Sequence, residues 1–227
     1  MSEYKKNGMI FGSKGGAWIK TDTPVYACET QQLLVEDILT EKFDKDVWLE
    51  KLLHIKSKVF GMNLEEEYLI LTKGLTRYPE TYGLDMIDSE TGKPKISKDG
   101  SIRKSPVPAH VKIVKQGMAE GKNYDVGEKI QYIVKDNKES LLDVDGNLQY
   151  NTKGALKTKK IIVPCSVEKY QTEKIYCPEY YYESVISVVS EILLVTHPEL
   201  VYTHFKDIWN KTEKQLLRLQ EKLEEEQ

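Results

Sequence analysis

Between Tyr68 and Val134 this 227-residue chain runs through a fixed succession of local signals, and that succession restricts the fold more than any other stretch. It opens with Tyr68-Leu-Ile-Leu-Thr-Lys-Gly-Leu-Thr-Arg-Tyr-Pro-Glu-Thr-Tyr82, a short apolar run read as a strand, followed by a basic loop bearing hydroxyls. After a polar interruption, Pro106-Val-Pro-Ala-His-Val-Lys-Ile-Val-Lys115 reads as a helix entered through proline, whose missing N–H costs nothing in a first turn. In Tyr124-Asp-Val-Gly-Glu-Lys-Ile-Gln-Tyr-Ile-Val134, Gly127 marks a turn into a second strand. Each block by itself is what an ordinary α+β fragment with scattered lysines shows; the three in order say more.

The hydrophobic share, 40%, is enough to bury a core in one large domain or two small ones. No stretch approaches the roughly 20 apolar residues of a membrane-spanning helix, and Met1-Ser-Glu-Tyr-Lys-Lys-Asn-Gly8 lacks the apolar centre of a signal peptide. A cytoplasmic location, or a host's cytoplasm for a viral protein, is the expectation. Cys28, Cys165 and Cys177 are far apart and form no C-x-x-C pair, so they are expected to be reduced and partly buried. His197 and His204 with Glu199 lack the H-x-x-x-H spacing of a metal site. The net charge of −3 conceals a division: residues 93–174 hold 17 Lys and Arg against 10 Asp and Glu, a net +7, while each flank is −5. Affinity for nucleic acid depends on the local cationic surface, so an acidic total does not exclude a basic face.

In chain order, Tyr4 to Phe11 reads as a strand and Gly12 to Gly16 as a turn; the latter lacks the G-K-[ST] ending of a phosphate-binding loop. Thr23 and Pro24 open a helix to about Phe43, with Leu34, Val35, Ile38, Leu39 and Phe43 as its buried face. A second helix, from about Val47 to Phe60, buries Trp48, Leu52, Ile55 and Val59, and Gly61 is placed to end it in a left-handed conformation. Turn signals at Glu90-Thr-Gly92, Lys98-Asp-Gly100 and Asp145-Gly146 predict two inserted hairpins, at about 85–105 and 136–160. The aspartates near Asp145 do not form an EF-hand loop, because its twelfth position falls on Gly154. Lys153, Lys157, Lys159 and Lys160 form a small basic cluster before the strand Ile161-Ile-Val163. A helix from Pro178 carries the stripe Val185, Ile186, Val189, Ile192 and Leu193, Pro198 interrupts it, and a last helix runs from Glu199 to about Glu225.

The three central blocks resemble the thumb of family B DNA polymerases, whose order is a strand, a K-x-L-T-x loop with a later Tyr, a P-H-V-x-x-A-K helix and a G-D-x-I-x-Y-V-I strand. Here Ala109 separates Pro108 from His110, and Glu128 stands at the usual Asp. Thr21-Asp-Thr-Pro24 with Glu29-Thr-Gln31 resembles the opening of that thumb. Pro178-Glu-Tyr-Tyr181 resembles its late P-E-Y-Y helix, and Lys5-Lys6 stand where a palm-to-thumb K-K-x-Y segment has its lysines, with Gly8 in place of the Tyr. The resemblance implies a mainly helical, thumb-like α+β domain over 21–227, with short antiparallel strands and inserted hairpins, preceded by a palm-connecting strand or hairpin over 1–20. It also implies contacts to primer-template duplex DNA from Lys5, Lys6, Lys73, Thr76, Arg77, Tyr82, His110, Lys112 and Lys115. His110 reads equally well as a packing residue beside Tyr82.

Phosphoryl transfer by a polymerase needs two metal ions held by carboxylates. The family's motifs for that chemistry, D-x-x-S-L-Y-P, K-x-x-x-N-S-x-Y-G and D-T-D-S, do not occur in this sequence. The expectation is therefore the small subunit of a split polymerase, inactive alone. It would act in DNA replication with a catalytic family B chain that lacks its own thumb, the magnesium residing in that partner and no cofactor in this chain. The other readings are a free-standing nucleic-acid-binding accessory protein and a protein-interaction adaptor working through the acidic C-terminal helix.

Overall fold

The computed structural model describes residues 2–6, 9–13, 23–96, 102–140, 148–150 and 154–203, and divides the chain into two units: residues 1–71 with 176–227, and residues 72–175. The architecture is α+β, helices joined to short antiparallel strands. No described helix is long and apolar enough to cross a membrane. Counted on the sequence, the 72–175 unit holds 19 Lys and Arg against 14 Asp and Glu, and the other unit 14 against 22.

The first unit opens with β1 (Ser2–Lys6) and β2 (Met9–Ser13), paired antiparallel with Lys6 opposite Met9. The strand expected over Tyr4–Phe11 is thus two strands, and Asn7-Gly8 between them lies outside the described residues. Gly12 belongs to β2, and the remainder of the expected 12–16 turn lies outside the described residues.

Helix α1 spans Val25–Leu39 and α2 spans Lys45–Phe60. Pro24 precedes α1, and its carbonyl accepts from the Ala27 and Cys28 amides; Thr23 supplies no side-chain cap. The buried face of α1 is Ala27, Thr30, Gln31 and Leu34, whereas Leu39 is 56% exposed. Of the expected stripe Leu34 is buried, while the helix stops at Leu39 and Glu41 reverses the chain at φ +56, which takes Phe43 out of phase. Phe43 packs instead on the His197 ring, 4.2 Å between centroids.

Helix α2 buries the four predicted residues, Trp48, Leu52, Ile55 and Val59. The Asp44 carboxylate accepts from the amides of Asp46 and Val47, two groups left without partners in a helix's first turn. A strap joins α1 to α2: Trp48 Nε1 donates to Asp37 at 2.9 Å while Lys51 lies 4.0 Å over the indole. Gly61 has φ −75, and the left-handed residue is Met62 at φ +57. The need for glycine at 61 is steric, since a Cβ there would meet the Ser57 carbonyl oxygen at 2.9 Å.

A short turn, α3 (Glu66–Leu69), occupies the start of the expected Tyr68 strand. Helix α6 (Pro178–Thr196) buries Tyr181, Tyr182, Val185, Ile186, Val189 and Leu193, and α7 (Pro198–Thr203) follows after Pro198 breaks it. The expected continuation to Glu225 lies outside the described residues. The aromatic cluster at the head of α6 closes helix ends: the Tyr181 hydroxyl donates to the Leu69 carbonyl at the end of α3, and Tyr176 donates to Val59 in the last turn of α2, both at 2.7 Å. Burial pushes the Tyr182 hydroxyl far above its ordinary pKa. Cys28 is half-buried, Cys165 and Cys177 are buried, and all three are free.

In the second unit β3 (Leu71–Gly74), β4 (Lys129–Ser140) and β5 (Thr158–Cys165) form a sheet in the order β3-β4-β5, with β4 and β5 antiparallel. Helix α4 (Ala109–Ala119) and α5 (Val167–Glu173) accompany it, and the buried residues Leu75, Val111, Val114, Ile130, Ile133, Val134 and Tyr170 make the core. The 85–105 insertion is more than one hairpin. Met86 donates to Arg103, Arg103 to Lys95 and Lys95 to Met86, so three short segments each bond the other two. The Asp145-Gly146 turn signal lies outside the described residues, although Tyr150 and Leu156 pair across the connection between β4 and β5.

Candidate nucleic-acid interface

The loop after β3 is held at both ends. The Leu75 amide donates to the Glu128 carbonyl and the Gly127 amide to the Leu75 carbonyl, so the Gly127 turn clamps the loop against the start of β4. Pro79 opens a single 3-10 turn over Pro79–Thr81, and the Thr81 hydroxyl folds back on the Tyr78 carbonyl at 2.7 Å. Gly83 at φ +81 then reverses the chain, its amide donating to the Ser105 hydroxyl; a side chain there would be strained and would press on Val107 at 3.1 Å.

Tyr82, buried, is the hub of what this loop presents. Its hydroxyl hydrogen-bonds the Thr76 hydroxyl at 3.1 Å, the Arg77 guanidinium lies 4.7 Å over its ring, and its carbonyl accepts from Lys115 Nζ at 2.8 Å. The Thr76 hydrogen bond holds the Tyr82 hydroxyl below its ordinary pKa; burial opposes this and Arg77 assists it. Thr76, Arg77 and Tyr82 from one sequence block and Lys115 from another, on α4, are therefore brought together. Arg77 and Lys73 remain exposed.

The other predicted residues behave differently. Lys112 has a different acceptor, its Nζ donating to the Ile162 carbonyl of β5 at 3.0 Å. His110 is only 4% exposed, so its ring is part of the packed interior. Lys5 and Lys6 lie on β1 in the other unit, opposite Ile10 and Met9. Tyr78, 67% exposed next to Arg77, was not singled out by the sequence; an aromatic between Arg and Pro in a loop was the available signal. A cleft of about 370 Å³ in the same unit, lined by Gln116, Tyr124, Lys129, Ser166 and Glu168 among others, includes none of the predicted residues.

Burial lowers the His110 pKa, and the positive charge of Lys73 lowers it further. Protonation is then easier in the unfolded chain, whose histidine titrates near 6.5. The stability that neutral His110 contributes is complete above about pH 6.5 and is lost as pH falls through the folded value. Melting curves between pH 7.5 and 5.5, conditions on either side of that titration, should show His110→Gln losing less stability on acidification than the wild type. Parallel pH profiles would show that His110 carries none of the acid sensitivity.

No family model matches this chain, and no curated protein matches it.

Proposed function

We propose that the chain works as the non-catalytic thumb subunit of a split family B DNA polymerase, gripping primer-template duplex while another chain supplies the metal-binding palm. The observation that carries the reading is the Tyr82 hub. Two of the blocks whose order resembles the thumb contribute Thr76, Arg77 and Lys115 to one tyrosine, in the unit that carries the basic excess. Exposed Lys73 and Arg77 are suited to phosphate oxygens, which position a duplex without reading its sequence. Lys115, Lys112 and His110 serve this grip indirectly, by fixing the loop and α4.

Magnesium, on this reading, belongs to the palm of the partner, and the present chain supplies binding alone. The chain by itself should show no nucleotide incorporation, while its addition to a family B chain that has palm motifs and lacks a thumb should restore extension of a primed template. Incorporation by this chain alone, above a heat-killed control, would overturn the proposal, as would a catalytic partner that extends equally well without it. Duplex binding without any effect on extension would favour the free-standing accessory protein.

A further inference from the structure

Tyr78 is the most exposed aromatic side chain among the described residues, at 67%, yet the backbone beneath it is held in place. Buried Pro79 confines the residue before it to extended conformations, and Tyr78 sits at φ −57 and ψ 137. Its carbonyl accepts from the Thr81 amide at 3.0 Å and from the Thr81 hydroxyl at 2.7 Å. The other large apolar side chains between Leu75 and Tyr82, namely Leu75, Pro79 and Tyr82, are buried. The loop thus uses one ring as its anchor and presents the other to solvent. Among the described residues no ring packs on Tyr78 and its hydroxyl makes no hydrogen bond. An aromatic with two side-chain torsions loses little entropy on binding, and here the backbone is fixed as well. Its neighbour in sequence is the exposed Arg77.

We infer that Tyr78 is a binding site for an unpaired base at the edge of the duplex, its ring stacking on a template base while Lys73 and Arg77 hold phosphates. Every base offers a π-face, so a contact of this kind is tolerant of sequence. Bases inside a duplex are stacked on one another and offer Tyr78 no face. A primer-template has unpaired template bases directly beside its duplex, whereas a blunt duplex has no unpaired base. The inference rests on the reading of this loop as a duplex grip, and it adds recognition of where the duplex ends.

The test uses the whole chain and three labelled probes built on one duplex: blunt, extended by a 5′ overhang of thymidines, and extended by an abasic overhang of the same length. The two overhangs carry the same phosphates, so their ionic contributions cancel. Wild-type protein should bind the thymidine overhang at least about fivefold more tightly than the abasic one, the lower bound for one stacked base, with the same dependence on salt. Tyr78→Ala should bind the two overhangs equally and keep the wild-type melting temperature and blunt-duplex affinity, since the ring is exposed. Tyr78→Phe should keep the distinction, because the ring remains; its loss there would show that the hydroxyl makes the contact and would overturn the stacking. An equal loss on all three probes in Tyr78→Ala would place the ring on the duplex itself and overturn the unpaired-base assignment. Wild-type protein that holds the blunt duplex yet treats thymidine and abasic overhangs alike would sink the Tyr78 site and leave the grip standing. A distinction that vanishes in Tyr78→Ala, with no restored extension in the presence of a thumbless catalytic chain, would sink the thumb reading and leave the Tyr78 site standing.

Discussion

Tyr82→Ala is expected to lower the unfolding free energy by about 3–5 kcal/mol, the usual cost of truncating a buried aromatic, and to abolish measurable duplex binding. The two effects have one origin. Tyr82 is 7% exposed, and between the two clamped ends of its loop it is the common partner: Thr76 bonds to its hydroxyl, Arg77 rests on its ring, and Lys115 donates to its carbonyl. With alanine the carbonyl remains, so Lys115 keeps its partner, while Thr76 and Arg77 lose theirs. Tyr82→Phe separates the terms. It keeps the packing and removes only the hydroxyl, so it should cost about 1 kcal/mol and leave Arg77 stacked. Thermal melts and duplex titrations on the three proteins check this, and an Ala variant that melts with the wild type would show that Tyr82 is not the hub.

Lys73→Ala/Arg77→Ala should flatten the dependence of log duplex affinity on log salt by about 1.8, at about 0.9 for each phosphate of B-form DNA that is no longer neutralised, and should do so alike for every duplex sequence. Four cations chosen from the sequence alone suggest a change of roughly 3 to 4, but the structure divides them. Lys115 is exposed like Lys73 and Arg77, but its ammonium group is held on the Tyr82 carbonyl, as that of Lys112 is on the Ile162 carbonyl. Lys112→Ala and Lys115→Ala should therefore move the melting temperature more than the slope. An unaltered slope in the Lys73/Arg77 variant would make this loop an ordinary solvated face.

Much of the fold was legible where local physics is decisive. The α2 face of Trp48, Leu52, Ile55 and Val59 follows from apolar spacing around a helix, and the starts of α4 and α6 follow from prolines that tolerate only a first turn. The α1 face was misread because its period extends through Phe43 on paper, while the backbone reverses at Glu41. Polar Thr30 and Gln31 are buried there because Thr30 bonds the Tyr26 carbonyl and Gln31 donates to Val188, a residue 157 positions away. No local pattern contains that partner.

The candidate site divides along the same line. By itself the sequence determined the residue types and their order: the basic hydroxyl-bearing loop, the proline-entered helix, the Gly127 turn and the concentration of positive charge after residue 92. These are properties of neighbours along the chain, set by backbone preferences and composition. Only the tertiary structure decided which lysines are committed to carbonyls, that His110 is buried, and that Tyr82 gathers groups from two blocks. A lysine's role depends on the acceptor within reach of its flexible stem, and for Lys115 that acceptor is 33 residues away, for Lys112 50. Separations of that size are closed by the packing of α4 on the sheet, which spacing along the chain does not encode.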